Sequence, residues 1–268
     1  MKHLIIIGGT KQSGKTTSAA ALYGYYLTSK GIIPNFSFDP SGRMSVVYNK
    51  KTNEGIYFDI DDNSPEMLTF KEKNVWPHIK HVGFADALKD SVCKLFSIPR
   101  ESVYGTNTQK ETLTHIKWES IKDFLPEYKK TKENYDKKNL SVRELMEIFG
   151  TDVCRKFDDN CHIQSGYLSL LEYNPDIGII CDMRFDNEFE YFDRVKRADP
   201  DFKVWFVKLK RQPFKSTSTS EQGLPGIDDS RYDLIISNEN IGIDKKNEII
   251  INFFIKQGVL PKTGVEKV

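Results

Sequence analysis

The segment that most limits the fold of this chain lies near its amino terminus. Leu4-Ile5-Ile6-Ile7 is an aliphatic run that predicts a buried strand. It is followed by Gly9-Thr10-Lys11-Gln12-Ser13-Gly14-Lys15-Thr16, which matches G-x-x-x-x-G-K-[ST] in full. The alanine-rich residues from Thr16 to Ser29 then predict a helix. Strand, glycine-rich turn and helix in this order are the setting of a phosphate-binding loop.

The residue types in this loop suit a nucleoside triphosphate. Gly9 and Gly14 let the backbone turn so that its N–H groups, with that of Ser13, converge on phosphate oxygens. The amino end of the helix adds a partial positive charge. We expect Lys15 to reach the β- and γ-phosphates and Thr16 to offer its hydroxyl to Mg²⁺.

Further aliphatic runs and helical patterns alternate along the chain. The runs Ile177–Cys181, Val204–Leu209 and Leu234–Ile236 predict buried strands, and helices are predicted over Asp86–Phe96, Ser141–Phe157 and Lys245–Gln257. Ser141 with Glu144 forms a capping box, whereas Gly150 interrupts its helix. The alternation predicts an α/β fold with a central parallel sheet.

Two regions depart from this rhythm. Residues 36–73 hold two alternating segments, 43–48 and 56–60, joined by a polar loop, which predicts an inserted β-hairpin. Residues 100–140 are highly charged and predict no strand. We expect one domain over residues 1–268, with a mobile lid at about 211–230 around the Ser/Thr-rich residues 216–220.

Composition excludes several classes of protein. The chain has 39 Lys plus Arg against 38 Asp plus Glu, so its formal charge of +1 argues against a nucleic-acid binder. No apolar run approaches the roughly 18 residues of a membrane span, and the first run is too short for a signal peptide. We therefore expect a cytoplasmic protein without membrane or nucleic-acid partners. The four cysteines form no CxxC pair, which favours free thiols over a zinc cluster.

A second metal-associated carboxylate has two candidates. Asp182 ends the aliphatic strand Ile179-Ile180-Cys181, and Asp59 ends the shorter run Ile56-Tyr57-Phe58. Asp182 is favoured because the residues that flank Asp59 suit an exposed hairpin. A GTPase is disfavoured: Asp39-Pro40-Ser41-Gly42 fits D-x-x-G, but no N-K-x-D guanine-binding motif follows.

Three arginines are candidates for binding or stabilising phosphoryl groups. Arg143 begins a helix, Arg184 follows Asp182 at the carboxyl end of a strand, and Arg211 follows the third aliphatic run, beside the predicted lid. A guanidinium binds a phosphate through two parallel hydrogen bonds and stabilises the charge of a phosphoryl group in transfer. We expect Arg184 and Arg211 to act in catalysis together with Lys15.

Five stretches carry a family resemblance, namely residues 9–17, 84–90, 141–152, 182–188 and 220–225 with 233–238. The most specific are Arg143-Glu144-Leu145-Met146, continued by Gly150-Thr151-Asp152, and the segment Asp182 to Glu188. In their order and spacing the chain resembles the bacteriophage deoxynucleoside monophosphate (dNMP) kinases, including that of T4-like phages. The resemblance implies an α/β fold of three layers with a central parallel sheet, like that of P-loop nucleoside monophosphate kinases. It also implies transfer of the γ-phosphoryl group of ATP to a dNMP, in deoxynucleotide biosynthesis, with Mg²⁺ as cofactor.

The resemblance also implies roles for individual residues. The ATP side would comprise Gly9, Gln12, Ser13, Gly14, Lys15, Thr16 and Thr17. Contacts to the dNMP would come from Lys11, Leu88, Lys89, Arg143, Gly150, Thr151 and Arg184. Glu147 and His162 stand where family members often have Gln and Trp, so they are expected to influence which base is accepted. Mg²⁺ would bind Thr16 and Asp182.

Some questions stay open at the level of sequence. The inserted hairpin has no counterpart in the family pattern. A P-loop kinase with another small acceptor, or a regulatory ATP-binding module, remains an alternative. A phage-encoded enzyme would work in the cytoplasm of the infected cell. Homodimers are common among such enzymes, although no long exposed apolar helix of this chain requires one.

Overall fold

The computed structural model describes residues 1–10, 12–49, 52, 54–62, 64–121, 139–199, 201–211 and 227–262. The chain divides into two compact units. The first comprises Met1–Gly83 and Tyr167–Val268, and the second comprises Phe84–Gly166.

The secondary structure of the described residues follows. The strands are β1 (His3–Gly9), β2 (Phe36–Phe38), β3 (Met44–Asn49), β4 (Glu54–Tyr57), β5 (Ile79–Val82), β6 (Leu113–Lys117), β7 (Asn139–Ser141), β8 (Ile177–Met183), β9 (Lys203–Lys210) and β10 (Leu234–Ser237). The α-helices are α1 (Lys15–Ser29), α2 (Pro65–Asn74), α3 (Asp86–Phe96), α4 (Arg100–Tyr104), α5 (Asn107–Lys110), α6 (Val142–Glu147), α7 (Arg155–Phe157), α8 (Cys161–Tyr173), α9 (Asp186–Ala198) and α10 (Ile243–Lys256).

The first unit is built on a five-stranded sheet in the order β10-β9-β1-β8-β5, with every neighbouring pair parallel. Alternate residues of its strands face opposite sides. On one side Val207 packs in a core with Leu22 of α1 and Phe254 of α10, and on the other Phe206 stacks on Phe189 of α9 at a ring-centroid distance of 4.0 Å. Helices thus flank the sheet, and the predicted α/β fold with a central parallel sheet is confirmed.

Strand β1 occupies the middle of the sheet, between β8 and β9. Its residues from Leu4 to Ile7 have no exposed surface, as a strand covered on both faces requires. The loop after β1 therefore opens at the carboxyl edge of the sheet with a parallel strand on either side. This edge is where ligands bind in open α/β sheets.

The segment inserted after α1 forms a separate antiparallel sheet in the order β2-β3-β4. It contains the predicted hairpin, but the second strand is Glu54–Tyr57 and not 56–60. Phe58 and Ile60 alternate because both are buried against the main core beyond the end of that strand. Ile56 is 69% exposed, so this strand presents apolar side chains to solvent.

One sequence prediction for the second unit is wrong, and another is confirmed only in part. Residues 100–140 contain strand β6, which pairs with β7 in an antiparallel ribbon. The strand is short, with only Thr114 buried, so it lacks the apolar run by which strands are recognised. The predicted helix 141–157 is α-helical only over α6 and α7, because Ile148–Cys154 between them forms a π-helix.

None of the helices in the part of the chain that the structure describes is long and apolar enough to cross a membrane.

Candidate active site

The loop after β1 has the tight backbone that its glycines predict. Gly9 has a φ of +148°, and a Cβ atom there would lie 2.4 Å from the carbonyl oxygen of Leu209 in the neighbouring strand. Gln12 adopts a left-handed φ of +59°, which is uncommon for a residue other than glycine. Gly14 precedes the first residue of α1 in a left-handed conformation. The loop thus turns sharply against β9 and leads directly into the amino terminus of α1.

Lys15 folds back over this loop. Its Nζ donates hydrogen bonds to the carbonyl oxygens of Gly9, at 2.9 Å, and of Thr10, at 2.7 Å. Burial is the main cause that lowers the pKa of Lys15 from 10.5 to about 8, and the positive charge of Arg184 lowers it further. Asp182 acts in the opposite direction. The structure therefore brings three predicted residues into electrostatic contact.

The rival carboxylate lies elsewhere in the first unit. Asp59 interacts with Asp61 and with Lys71 of α2, and burial raises its pKa. Of the two candidates, only Asp182 influences the pKa of Lys15. This geometry supports Asp182 as the carboxylate of the phosphate site.

A cavity of about 860 Å³ opens beside the loop. Its walls include six predicted residues, Gln12, Gly14, Lys15, Thr16, Thr17 and Arg211. The Nη1 atom of Arg211 donates to the carbonyl oxygen of Gln12 at 2.7 Å, which holds this guanidinium against the loop. Other walls, which the sequence did not predict, come from residues 38–41 and from residues 238–246.

Two of these additional residues bind the loop directly. Asn238, just after β10, donates from Nδ2 to the carbonyl oxygen of Ser13 at 2.8 Å. Lys246 of α10 donates from Nζ to the carbonyl oxygen of Gly14 at 3.1 Å. Lys246 is 1% exposed, and burial lowers its pKa from 10.5 to about 8. It could have been found because it lies four and eight residues before the buried Ile250 and Phe254, on the apolar face of its helix.

In the second unit, the predicted residues Gly150 and Thr151 belong to the π-helix. Such distortions occur frequently at functional sites. A Cβ atom on Gly150 would lie 2.6 Å from Cδ2 of Leu88, and Nε2 of His162 lies 3.1 Å from the carbonyl oxygen of Gly150. His162 is 9% exposed. Leu88, Gly150 and His162, which were all predicted for the acceptor, are thus neighbours.

The charged acceptor candidates of the second unit are held by partners. Arg143 donates from Nε to Oε1 of Glu111 at 2.5 Å and from Nη2 to Oδ1 of Asn107 at 3.0 Å. Lys89 pairs with Asp86 at 3.0 Å. Glu147 is the last residue of α6, immediately before the π-helix. The ion pair with Glu111 orients the Arg143 fork, and a phosphate would compete for it.

Some predictions fall outside the described residues, namely those on Lys11 and on lid residues 212–226. Arg184 follows β8, and its backbone N–H donates to Oε2 of Glu188 at 2.6 Å. This bond closes the first turn of α9 and fixes the backbone at Arg184.

Oxygen ligands for Mg²⁺ are present in the first unit. The hydroxyl of Thr16 lines the cavity, and the carboxylate of Asp182 belongs to the same electrostatic cluster as Lys15. Hydroxyl and carboxylate oxygens are the donors that Mg²⁺ prefers, and it usually adds waters and phosphate oxygens to one or two protein ligands. Among the described residues there is no cluster of three or more His, Cys, Asp or Glu side chains that would hold a metal alone.

The central parallel sheet, the loop after its middle strand and the cations around that loop are those of a P-loop protein. A model of the deoxynucleotide monophosphate kinase family matches residues 3–248. The chain belongs to this family. A protein of Acanthamoeba polyphaga mimivirus, provisionally named a deoxynucleotide monophosphate kinase, is 27% identical over 169 residues, which are 58% of this chain and 72% of the viral protein.

These comparisons confirm the resemblance at the level of the family and support a kinase that acts on deoxynucleotides. An origin in a T4-like phage stays a prediction.

Proposed function

We propose that the protein transfers the γ-phosphoryl group of ATP to a deoxynucleoside monophosphate, giving a deoxynucleoside diphosphate and ADP. The observation that carries this proposal is the position of Lys15. Its Nζ is held over the phosphate loop by two carbonyl oxygens, and its electrostatic neighbours are Arg184 and Asp182. A family matched over residues 3–248 supports the choice of acceptor.

On the ATP side, the backbone N–H groups of the loop would bind phosphate oxygens together with the amino terminus of α1. Lys15 would exchange its bonds to the carbonyl oxygens of Gly9 and Thr10 for bonds to phosphate oxygens. Arg211, bonded to the loop at Gln12, lies on the same cavity wall and would stabilise charge on the transferring group. Arg184 would do the same from the end of β8.

Catalysis of this reaction needs no side-chain nucleophile. Phosphoryl transfer spreads charge over the equatorial oxygens, so positioning and charge stabilisation carry the rate. Lys15, Arg184 and Arg211 supply that positive charge. Mg²⁺, when bound, neutralises charge on the phosphates, and Thr16 and Asp182 are the residues that would hold it.

We assign binding of the acceptor to the second unit. Arg143 would bind the monophosphate through its guanidinium fork, with Lys89 adding a second positive charge. The π-helix offers Thr151 and the backbone of Gly150, against which Leu88 packs. The polar side chains of Glu147 and His162 would discriminate between bases.

A coupled ADP-release assay tests the proposal. ATP and Mg²⁺ are supplied with dTMP, dGMP, dCMP, dAMP, UMP or AMP in turn, and Lys15→Ala serves as the inactive control. We expect turnover with one or more deoxynucleotides well above the rate without acceptor. ADP release that is independent of acceptor would indicate an ATPase instead. ATP binding without turnover on any of the six would indicate a different acceptor or a regulatory module.

A further inference from the structure

The cavity beside the phosphate loop extends beyond the residues that would bind phosphates. Its lining includes two apolar residues of the inserted segment, Phe38 at the end of β2 and Pro40 in the turn that follows. It also includes Ile241, between β10 and α10, and Ile243, the first residue of α10. These four residues are called the apolar slot below. The turn joins two strands of the inserted antiparallel sheet.

The turn between β2 and β3 is held rigidly by Asp39. Its Oδ1 accepts hydrogen bonds from the backbone N–H of Ser41 at 2.8 Å, the Ser41 hydroxyl at 2.6 Å and the backbone N–H of Arg43 at 3.0 Å. Its Oδ2 accepts one from Nε of Arg43 at 2.8 Å. These bonds, chiefly that from the Ser41 hydroxyl, hold the pKa of Asp39 well below its ordinary value. The segment that fits D-x-x-G is therefore a fixed turn.

The same turn packs closely against the first residues of α1 and of α10. Gly42 has a φ of +86°, and a Cβ atom there would lie 2.9 Å from Oγ1 of Thr17 and 3.6 Å from Cδ1 of Ile243. Thr17 lies two residues after Lys15 in α1. The inserted sheet thus reaches the first turn of the phosphate-binding helix, and its turn also contacts α10.

We propose that Phe38 and Pro40 of the inserted segment contact the base of the donor nucleoside triphosphate, and that they complete its binding site in the apolar slot. This inference rests on the proposed function, because it takes the phosphate loop as the site of the triphosphate. A ligand anchored there by its phosphates must place its remaining part along the same cavity. Four apolar side chains, in a cavity that polar side chains such as Ser41 and Glu239 also line, suit a flat aromatic ring with polar edges.

The alternative is that the turn only buttresses α1. In that case its residues would affect the phosphate loop and every ligand of that loop equally. A base-binding role predicts a different pattern, since only ligands that carry a base would be affected. Comparing ATP with inorganic tripolyphosphate separates the two, because tripolyphosphate has the phosphate chain without the nucleoside.

The experiment measures the Kd of ATP and of tripolyphosphate by calorimetry, in Mg²⁺ buffer, for the full chain and three variants. Phe38→Ala and Ile241→Ala each remove one apolar side chain from the slot, the first from the inserted sheet and the second from the segment before α10. Ile56→Ala is the matched control, because this exposed apolar residue belongs to the same inserted sheet but does not line the cavity. Phe38 and Ile241 both also pack on the main core, so thermal unfolding of each variant checks its folding, and either variant that folds tests the slot.

We expect Phe38→Ala to raise the Kd of ATP roughly tenfold, because it removes one aromatic contact to the base. Ile241→Ala should weaken ATP about fivefold, from lost apolar burial. In both variants the Kd of tripolyphosphate should stay within about twofold of that of the unmodified protein. Ile56→Ala should change the Kd of neither ligand. Unchanged ATP binding in the two slot variants, or an equal loss for both ligands, would overturn the slot while leaving the proposed function intact. Failure of the unmodified protein to bind either ligand would overturn both.

Discussion

Lys246 offers the sharpest test of the electrostatics around the phosphate loop. It is a lysine with 1% exposed surface whose Nζ donates to the carbonyl oxygen of Gly14. We predict that Lys246→Met makes the free protein more stable at neutral pH. Methionine keeps most of the length of the side chain, and it suits a helix face that also carries Ile250 and Phe254. The Gly14 carbonyl is not orphaned, because it also accepts the backbone N–H of Ser18 at 2.9 Å.

The magnitude follows from the pKa of Lys246. Burial lowers it from 10.5 to about 8, and each pH unit of difference corresponds to about 1.4 kcal/mol. Keeping this lysine charged in the folded protein therefore costs on the order of 3 kcal/mol below pH 8. We expect Lys246→Met to raise the free energy of unfolding by about 1–3 kcal/mol at pH 7. The gain is smaller than the full cost of the buried charge because the variant also loses a hydrogen bond.

The dependence on pH has a definite sign. Between pH 8 and 10.5 the unfolded chain keeps a proton on Lys246 that the folded protein has lost. The unfolded state thus binds more protons in this window. Lys246 therefore makes the free energy of unfolding of the unmodified protein rise with pH. The advantage of Lys246→Met should be largest below pH 8 and shrink towards pH 10.5.

Urea unfolding between pH 7 and 9.5, followed by tryptophan fluorescence, measures this difference. Trp205 is a suitable reporter because its ring lies 6.1 Å from that of Phe254 in the same helix as Lys246. Lys245→Met is the matched control, since Lys245 is the exposed neighbour paired with Glu248 and should change stability by less than about 0.5 kcal/mol. A loss of more than about 1 kcal/mol at pH 7 in Lys246→Met, with Lys245→Met unaffected, would refute the reasoning.

Three further predictions concern ligands. Lys15→Ala should lower turnover at least about 30-fold with the fold intact, because losing ~2 kcal/mol of transition-state stabilisation has this effect; a rate above about a tenth of the original in the coupled assay would contradict it. The Kd of ATP, measured by calorimetry, should weaken by up to about tenfold per pH unit above pH 8, where Lys15 loses its proton, and a flat profile would contradict this. Gly150→Ala, whose Cβ would displace the end of Leu88, should raise the KM of the dNMP several-fold and leave that of ATP unchanged; equal changes in both would count against it.

Much of the first unit could be predicted because its strands are covered on both faces. A strand such as β8 is then a continuous aliphatic run, which is distinct in sequence from an amphipathic helix. The helix α3 was predicted with its observed bounds, since Pro99 limits where it can end. The order of the strands could not be predicted, because residue patterns do not specify which strands pair.

The second unit was harder because its structure depends on local exceptions. Leu113 is 64% exposed, and within the described part of the chain β6 pairs with β7 alone, so neither face required an apolar pattern. The π-helix at Ile148–Cys154 has the same apolar spacing as an α-helix over its short length. In the sequence, Gly150 was the one sign of this distortion. The structure explains the glycine, because Leu88 approaches so closely that a side chain would have little room.

Two residues of the candidate site are brought to the phosphate loop by the pairing of parallel strands. Asp182 and Asp59 both end apolar runs, so the sequence could only favour one of them. In the sheet, β8 lies beside β1 with Gly8 opposite Met183, which brings Asp182 level with the start of the phosphate loop. On the other side of β1, Gly9 lies opposite Leu209, so Arg211 leaves β9 beside the same loop. The two strands that flank β1 therefore each deliver a charged side chain to the loop, and a motif within one segment of sequence could not have shown this.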